Sequence, residues 1–565
     1  MQLETKCVRR ATTLVLVILL FLPASLLARE TPPGDAVATA HPLATDVALE
    51  ILDAGGNAFD AAVAVTAALA VVEPYGSGLG GGGFWLLHRA EDGFQTMVDG
   101  RETAPGEATH DMYLDEVGDV RDRASLDGAL AAGIPGTPAA LVHLVENYGR
   151  LSLAENLAPA IRYARNGFEV GPHYRRMVRF RMDALRASPD AAAVLLKDGD
   201  VPPEGHRIVQ SDLADTLERL ATSGREGFYR GETARMLVKA AREGGGIWRL
   251  EDFADYTVVE REPITGRYHG IRITAAAPPS AGGIGLVTML GLLEPWDLSA
   301  MDEASRIHLA AEAMRRAYRD RSLYLGDPDF TDIPLRRLQS EDHLRLLRED
   351  LRLDQATPSD SLAAPPDGTG EDTTHFSIID SDGNRVGATL SINYPFGSGF
   401  MAAGTGVLLN NEMDDFASQP GKPNAYGLVG GTRNAIAPGK RPLSSMTPTF
   451  LESEDRIAVL GTPGGSRIIT QVLLAILAFA ENEPPETWVS RPRFHHQYLP
   501  DRIQHEPGAI TIETRNGLRQ RGHSVVPMTR EYGDMQAVSW HRRDNVMEAA
   551  SDPRGGGRAE ARVRN

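Results

Sequence analysis

Cysteine is nearly missing from this chain: one residue in 565, Cys7. It lies in a leader in which Lys6, Arg9 and Arg10 precede an apolar run from Leu14 to Leu22, followed by Pro23, Ala24, Ser25 and Ala28. That order reads as a signal peptide over residues 1–28. The mature chain then has no thiol, which excludes disulfides, Cys-ligated metal and a cysteine nucleophile. Basic charge is also short. Against 76 Asp and Glu stand 58 Lys and Arg, for a net charge of −18 with no basic stripe, which argues against a nucleic-acid partner. Elsewhere no repeat or low-complexity tract divides the chain. The expected location is periplasmic or secreted, with a membrane anchor formed by an uncleaved N-terminus as the alternative. What remains is globular in composition, 42% hydrophobic and 24% charged, enough for a sizeable core.

The chain is organised around Asp372-Thr373-Thr374-His375. Residues 355–372 carry Pro358, Pro365, Pro366, Gly368 and Gly370 among Asp and Ser and read as an exposed linker. Beyond them, His375 to Asp380 and Arg385 to Ile392 are strand-like runs joined by Ser381-Asp382-Gly383-Asn384, a hairpin turn signal. Thr373 thus sits at the mouth of a strand, after chain that can be cut. A threonine made N-terminal by such a cut holds a hydroxyl nucleophile and, in its α-amine, a general base. Its amine pKa, about 7.7 to 8.0 when unperturbed, suits that task. Alone, the tetrapeptide reads first as a β-branched residue opening a strand.

Other segments add to it. Helices are expected over Thr45 to Ala54 and Phe59 to Val72, the second ending at Pro74. Gly76-Ser77-Gly78-Leu79-Gly80-Gly81 imitates a dinucleotide fingerprint, but follows a helix and precedes the strand Phe84 to Leu87, the wrong order for that fold. Close backbone packing explains it better. Arg101, at the end of a strand around Met97-Val98-Asp99, can pair with a carboxylate, although such an arginine is often a structural ion pair. Amphipathic helices run through Thr137 to Asn147, Leu153 to Asn166, Asp212 to Ala221, Glu232 to Glu243 and Ala304 to Tyr324, and strands cover Tyr256 to Glu260 and Ile271 to Ala275. His308 and Glu312, four apart on a helix, lack a third ligand at helical spacing and read as a local pair, not a metal site. Adjacent His495 and His496 point to different sides.

Asn410 to Asp415 gathers Glu412, Asp414 and Asp415, a cluster suited to a cationic ligand or a hard metal ion. The Gly-, Pro- and Asn-rich stretch from Gln419 to Arg441, with Tyr426 inside it, is long for an idle loop. Thr449 to Leu451 and Ile457 to Leu460 are strands. Gly461-Thr462-Pro463-Gly464-Gly465-Ser466 then opens the apolar helix Ile468 to Ala480, where outward N–H groups can serve as an oxyanion hole or simply begin a helix. The four arginines from Arg554 onward read as a frayed tail.

Thr373-Thr374-His375, Asn410 to Phe416, Lys440 to Met446 and Pro463 to Arg467 together resemble the γ-glutamyltransferase (glutathione hydrolase) family. Leu79 to Phe84, Arg101 to Pro105, Pro492 to Gln497 and Ala550 to Arg554 extend the resemblance over residues 36 to 554. It implies an α/β (α+β) fold of the N-terminal nucleophile hydrolase type, a four-layer αββα sandwich, autoprocessed into a large subunit (29–372) and a small subunit (373–565) that stay in one globule. It implies no cofactor and no metal. Thr373 would attack the γ-amide of glutathione or a related γ-glutamyl compound, and water or an amino acid or dipeptide acceptor would take the acyl group. By position, Arg101, Ser444 and Ser445 would hold the glutamyl α-carboxylate, and Asn393, Glu412 and Asp415 its α-ammonium, which would explain uncompensated carboxylates at Glu412 and Asp415. Gly464 and Gly465 would supply the oxyanion N–H groups, Ser391 would bond the nucleophile, and Tyr426 would belong to a lid. A cephalosporin acylase-like or poly-γ-glutamate-processing relative, or a periplasmic γ-glutamyl-binding protein that never cuts itself, are the alternatives.

Overall fold

Alternating side chains build two sheets whose inner faces meet. The computed structural model describes residues 31–359, 373–419, 421, 424–428 and 430–564. The leader and Asp372 lie outside the described residues. From Pro32 onward the chain forms one compact body.

In chain order, thirteen strands make the two large sheets: β1 Gly34–Thr39, β2 Gly82–Arg89, β3 Phe94–Asp99, β4 Val259–Arg261, β5 Ile264–Tyr268, β6 Ile271–Ala275, β7 Thr374–Ile379, β8 Arg385–Ser391, β9 Thr449–Glu452, β10 Arg456–Gly461, β11 Gln536–His541, β12 Val546–Ser551 and β13 Arg558–Val563. The first sheet runs β13-β1-β7-β8-β2-β3-β4, the second β12-β11-β10-β9-β6-β5. Their ladders are antiparallel. The helices used below are α1 Pro42–Asp53, α2 Ala58–Val72, α3 Thr137–Tyr148, α4 Leu153–Asn166, α5 Pro172–Ala187, α6 Gly282–Leu293, α7 Glu303–Tyr324 and α8 Ile468–Ala480.

Period-two alternation sorts the strand residues. Trp85, Leu87, Phe376, Ile378, Val386 and Ala388 join one core with α1 to α5. Phe84, Leu86 and Ile379 join a second core with Phe450, Val459 and Val538 of the other sheet and with α6, α7 and α8. The layers are therefore helix, sheet, sheet, helix, as the resemblance implied. The glycines after α2 fit the close-packing reading: a Cβ on Gly80 would stand 1.9 Å from the Leu408 carbonyl oxygen, and one on Gly81 2.2 Å from that of Ser391.

Two readings are corrected. The tail is not frayed: β13 pairs with β1 along its whole length, Arg562 and Arg564 meet the buried Asp35, and Arg554 meets Glu506 and Asp552. Charged partners from the other end of the chain supply what local composition could not. The second concerns α5, a 16-residue helix from Pro172 that the sequence reading passed over. Its arginines mask a narrow apolar stripe of Tyr174, Val178 and Leu185.

Candidate active site

The hairpin register creates the centre of the site. Thr374 pairs with Leu390 across β7 and β8, so Thr373 falls beside Ser391, and their hydroxyl oxygens lie 3.5 Å apart. That is longer than an ordinary O–H···O bond. Ser391 Oγ also accepts the Asn393 N–H at 2.7 Å. Asn393 holds φ +72°, a left-handed conformation that asparagine tolerates better than most residues, and its Nδ2 donates to the Asn411 carbonyl at 2.8 Å.

β10 ends at Gly461, and the chain turns through Gly464 (φ +132°) and Gly465 (φ +53°) into a 3-10 turn and then α8. Gln471 of α8 ties this turn by donating to the Pro463 carbonyl at 2.9 Å, and Tyr318 of α7 donates to the Ser466 carbonyl. Gly464 and Gly465 each line a cavity that also touches Thr373.

On one side of Thr373 the space is small, about 20 Å³. Arg101, Arg321, Ser391, Asn393, Asp415, Tyr426, Ser444 and Ser445 line it. Arg101 is buried, with Nη1 2.8 Å from Glu412 Oε2 without hydrogen-bond alignment, Nη2 donating to Asp415, and Nε donating to the Pro442 carbonyl at 3.3 Å. Glu412 and Asp415 are therefore not left without a cation, as the sequence reading had them. The Arg101 guanidinium compensates them. Burial pushes the Glu412 carboxyl up to about 8 against the pull of Arg101. Glu102, buried beside Arg101 and without a hydrogen bond, is pushed up as well, first by burial and then by Glu412. Asp414 turns away from this group, accepting from Ser125 Oγ at 2.7 Å and from the Ala425 N–H at 3.0 Å.

Tyr426 covers the pocket. It is buried, and its hydroxyl donates to the Asn393 carbonyl at 2.9 Å. Gln497 connects this cover to the glycine turn: its amide donates to the Tyr426 and Gly427 carbonyls at 3.3 Å, while its Oε1 accepts from Ser466 Oγ at 2.7 Å. Ser444 is held against the Pro278-Pro279 turn through its N–H and carbonyl, and the Ser445 hydroxyl is buried without a partner.

The other side of Thr373 opens into about 390 Å³ lined by residues including Glu73, Tyr75, His173, Arg176 and Phe180. Glu73 caps the C-terminal end of α2, and its Oε2 accepts from Thr374 Oγ1 at 2.7 Å. Burial pushes its carboxyl up to about 8, opposed only by that hydroxyl. Sequence reasoning missed Glu73, Arg321 and Gln497, and gave Glu102 no role. Only Glu102 and Gln497, inside quoted motifs, carried any local signal.

The His308 and Glu312 pair is also revised. His523 brings a third group, 2.7 Å from His308 Nδ1, but Glu312 is engaged by Arg315, Arg316 and the Thr357 N–H, and His308 Nε2 by the Arg352 carbonyl. Two guanidiniums against the only carboxylate disfavour a cation there. His495 and His496 do point apart, to Thr470 and to Asp501.

Comparison with known proteins agrees with this geometry. The γ-glutamyltranspeptidase family profile matches residues 44–562. The chain belongs to this family. It is 40% identical over 529 residues to the glutathione hydrolase proenzyme of Escherichia coli (strain K12), covering 92% of this chain and 90% of that one. To the glutathione hydrolase proenzyme of Pseudomonas sp. (strain A14) it is 42% identical, covering 86% and 85%. Among solved structures, the cephalosporin acylase from Bacillus halodurans superposes with a TM-score of 0.83 at 27% identity, covering 95% and 97%. Family membership makes the chain an N-terminal nucleophile hydrolase and an enzyme of γ-glutamyl transfer and hydrolysis.

Proposed function

We propose that this chain is exported, loses residues 1–28, and cuts itself between Asp372 and Thr373 into subunits 29–372 and 373–565 that act together as a glutathione hydrolase and γ-glutamyltransferase. The observation that carries the reading is one arrangement: Thr373 opens a strand opposite Ser391, within a glycine turn's reach, beside a closed pocket lined by Arg101 and Asp415, with Glu412 paired to Arg101.

Cutting turns the Thr373 nitrogen into an amine that takes the proton from its own hydroxyl as Oγ1 attacks the γ-carbonyl of the donor. Gly464 and Gly465 N–H groups stabilise the oxyanion. The amine then gives its proton to the departing amino group, leaving a γ-glutamyl ester on Thr373. Water or the amine of an amino acid or dipeptide attacks that ester, and the Thr373 hydroxyl is restored. Arg101, Ser444 and Ser445 serve the glutamyl α-carboxylate, while Asn393, Glu412 and Asp415 serve its α-ammonium. For the ammonium to enter, Arg101 must loosen its hold on Glu412 and Asp415, so donor binding exchanges an internal ion pair for one with substrate. Tyr426 closes over the bound group.

The likeness to a cephalosporin acylase favours a second reading, in which the acyl group has no amine. The charged triad of Arg101, Glu412 and Asp415 argues for the amino acid instead. Purified protein should run as two bands on a denaturing gel and release p-nitroaniline from γ-glutamyl-p-nitroanilide faster than from glutaryl-p-nitroanilide. Thr373→Ala should leave one band and no turnover. A single uncut wild-type band without turnover would sink the reading, and a preference for the glutaryl compound would replace it with the acylase.

A further inference from the structure

Two guanidinium groups line the small pocket, and only one has partners. Arg101 faces Glu412 and Asp415. Arg321, on α7, is 6% exposed, and its Nε makes no hydrogen bond. No carboxylate of the described residues lies within ion-pair distance of it, and no hydrogen bond to its guanidinium is formed among them. An arginine keeps its proton under any working condition, so this is a buried cation with no anion in contact, Asp415 acting on it only from beyond ion-pair distance. Such a group is costly to maintain unless something else supplies the charge.

The setting specifies the chemistry of a partner. Tyr318, one turn earlier on the same helix, pins the Ser466 carbonyl, which locks α7 against the glycine turn. Arg321 therefore reaches the pocket from a fixed support, on a wall shared with Ser445. The Ser445 hydroxyl is the second buried polar group there with no partner. A guanidinium and a hydroxyl donor together suit one carboxylate. The accounting does not depend on the protonation of Glu412: ionised or not, it and Asp415 make their contacts with Arg101, and Arg321 forms no ion pair.

We infer that Arg321, with Ser445, binds the carboxylate end of the acyl donor, sharing this role with Arg101, which is released to it only as the donor displaces Glu412 and Asp415. The inference rests on the γ-glutamyl reading above and assigns a specificity residue within it.

Comparison of γ-glutamyl-p-nitroanilide with 4-aminobutyryl-p-nitroanilide, which keeps the amine and lacks the carboxylate, tests it. For Arg321→Met, KM for the γ-glutamyl compound should rise about 100-fold, while kcat/KM for the 4-aminobutyryl compound should change less than threefold. The fraction of chain cut into two bands reports whether the variant folds. If the Met variant is not cut, Arg321→Lys carries the test, with a rise of about tenfold on the γ-glutamyl compound alone. Equal losses on both substrates, or none on either, overturn the assignment while wild-type activity leaves the parent reading standing. A wild type inert on γ-glutamyl-p-nitroanilide removes both.

Discussion

Two spaces meet at Thr373, about 20 Å³ on one side and about 390 Å³ on the other. The smaller has room for roughly one water molecule and is walled by paired and unpaired charges under the Tyr426 cover. The larger is open, bordered by α5 and by aromatic side chains such as Tyr75 and Phe180. Each side has a buried carboxyl pushed up to about 8, but Glu412 has Arg101 opposing that shift, whereas Glu73 has only the Thr374 hydroxyl. The difference separates two tasks. The closed side can discriminate by charge, because an incorrect group leaves buried ions unmatched. On the proposed reading the open side takes the amine, and little there is lost when one amine is exchanged for another.

The largest test of that division is Arg101→Met. Removing one partner from a buried ion group costs about 3–5 kcal/mol, and here it would leave Glu412 and Asp415 facing each other. We expect kcat/KM for γ-glutamyl-p-nitroanilide to fall about 1,000-fold, mostly through KM. A loss below tenfold would mean that the closed side does not discriminate by charge.

Thr373 was legible because its evidence is local: a breaker-rich linker, a strand pattern and an Asp-Gly turn lie within a few dozen residues. The same holds for the glycine turn before α8 and for the acidic run from Glu412, whose positions follow from turn chemistry and apolar periodicity. Arg321 was not legible, since on a helix with several arginines nothing marks the one that faces a pocket. The tail misled for a similar reason. Arg558, Arg562 and Arg564 find Asp46, Asp53 and Asp35 more than 500 residues away, and a polar strand reads as loop until its partner is known. The sandwich itself came from the family resemblance, not from strand-by-strand reading, because β1, β5, β11, β12 and β13 were not read as strands and the pairing order is set by residues far apart in the chain.

A smaller effect contrasts the two raised carboxyls. With a folded pKa of about 8 against 4.5 in the unfolded chain, Glu73 holds a proton in the fold that the unfolded chain releases. Its contribution to stability is fully present below pH 4.5 and is lost as pH rises through 8. Glu73→Gln removes that dependence and keeps an acceptor for Thr374. In thermal melts the variant should therefore gain on wild type by a few degrees at pH 9, with the gain shrinking toward pH 4.5. Glu412→Gln, at a carboxyl also raised to about 8 but opposed by Arg101, should gain less at pH 9, since there it takes an ionised partner from Arg101. If both variants shift Tm alike, the two carboxyls do not differ as described.

The smallest expected effect belongs to Phe180. It is 55% exposed, its ring centroid is 5.9 Å from that of Tyr394, and α5 is fixed beside it by Arg181, which donates to the Pro395 and Gly397 carbonyls at 3.0 and 2.8 Å. An aromatic ring on a rigid support at the edge of the open cavity adds contact area for an incoming amine without fixing its identity. Covering part of such a ring is worth about 1 kcal/mol, or roughly fivefold. Phe180→Ala should therefore raise KM for a phenylalanine-containing dipeptide acceptor about threefold to fivefold, and that for glycylglycine less. The comparison is decided by which half-reaction moves: a larger change in γ-glutamyl ester formation than in its transfer to the dipeptide would show that the open side also governs the acyl group, and the division at Thr373 would have to be redrawn.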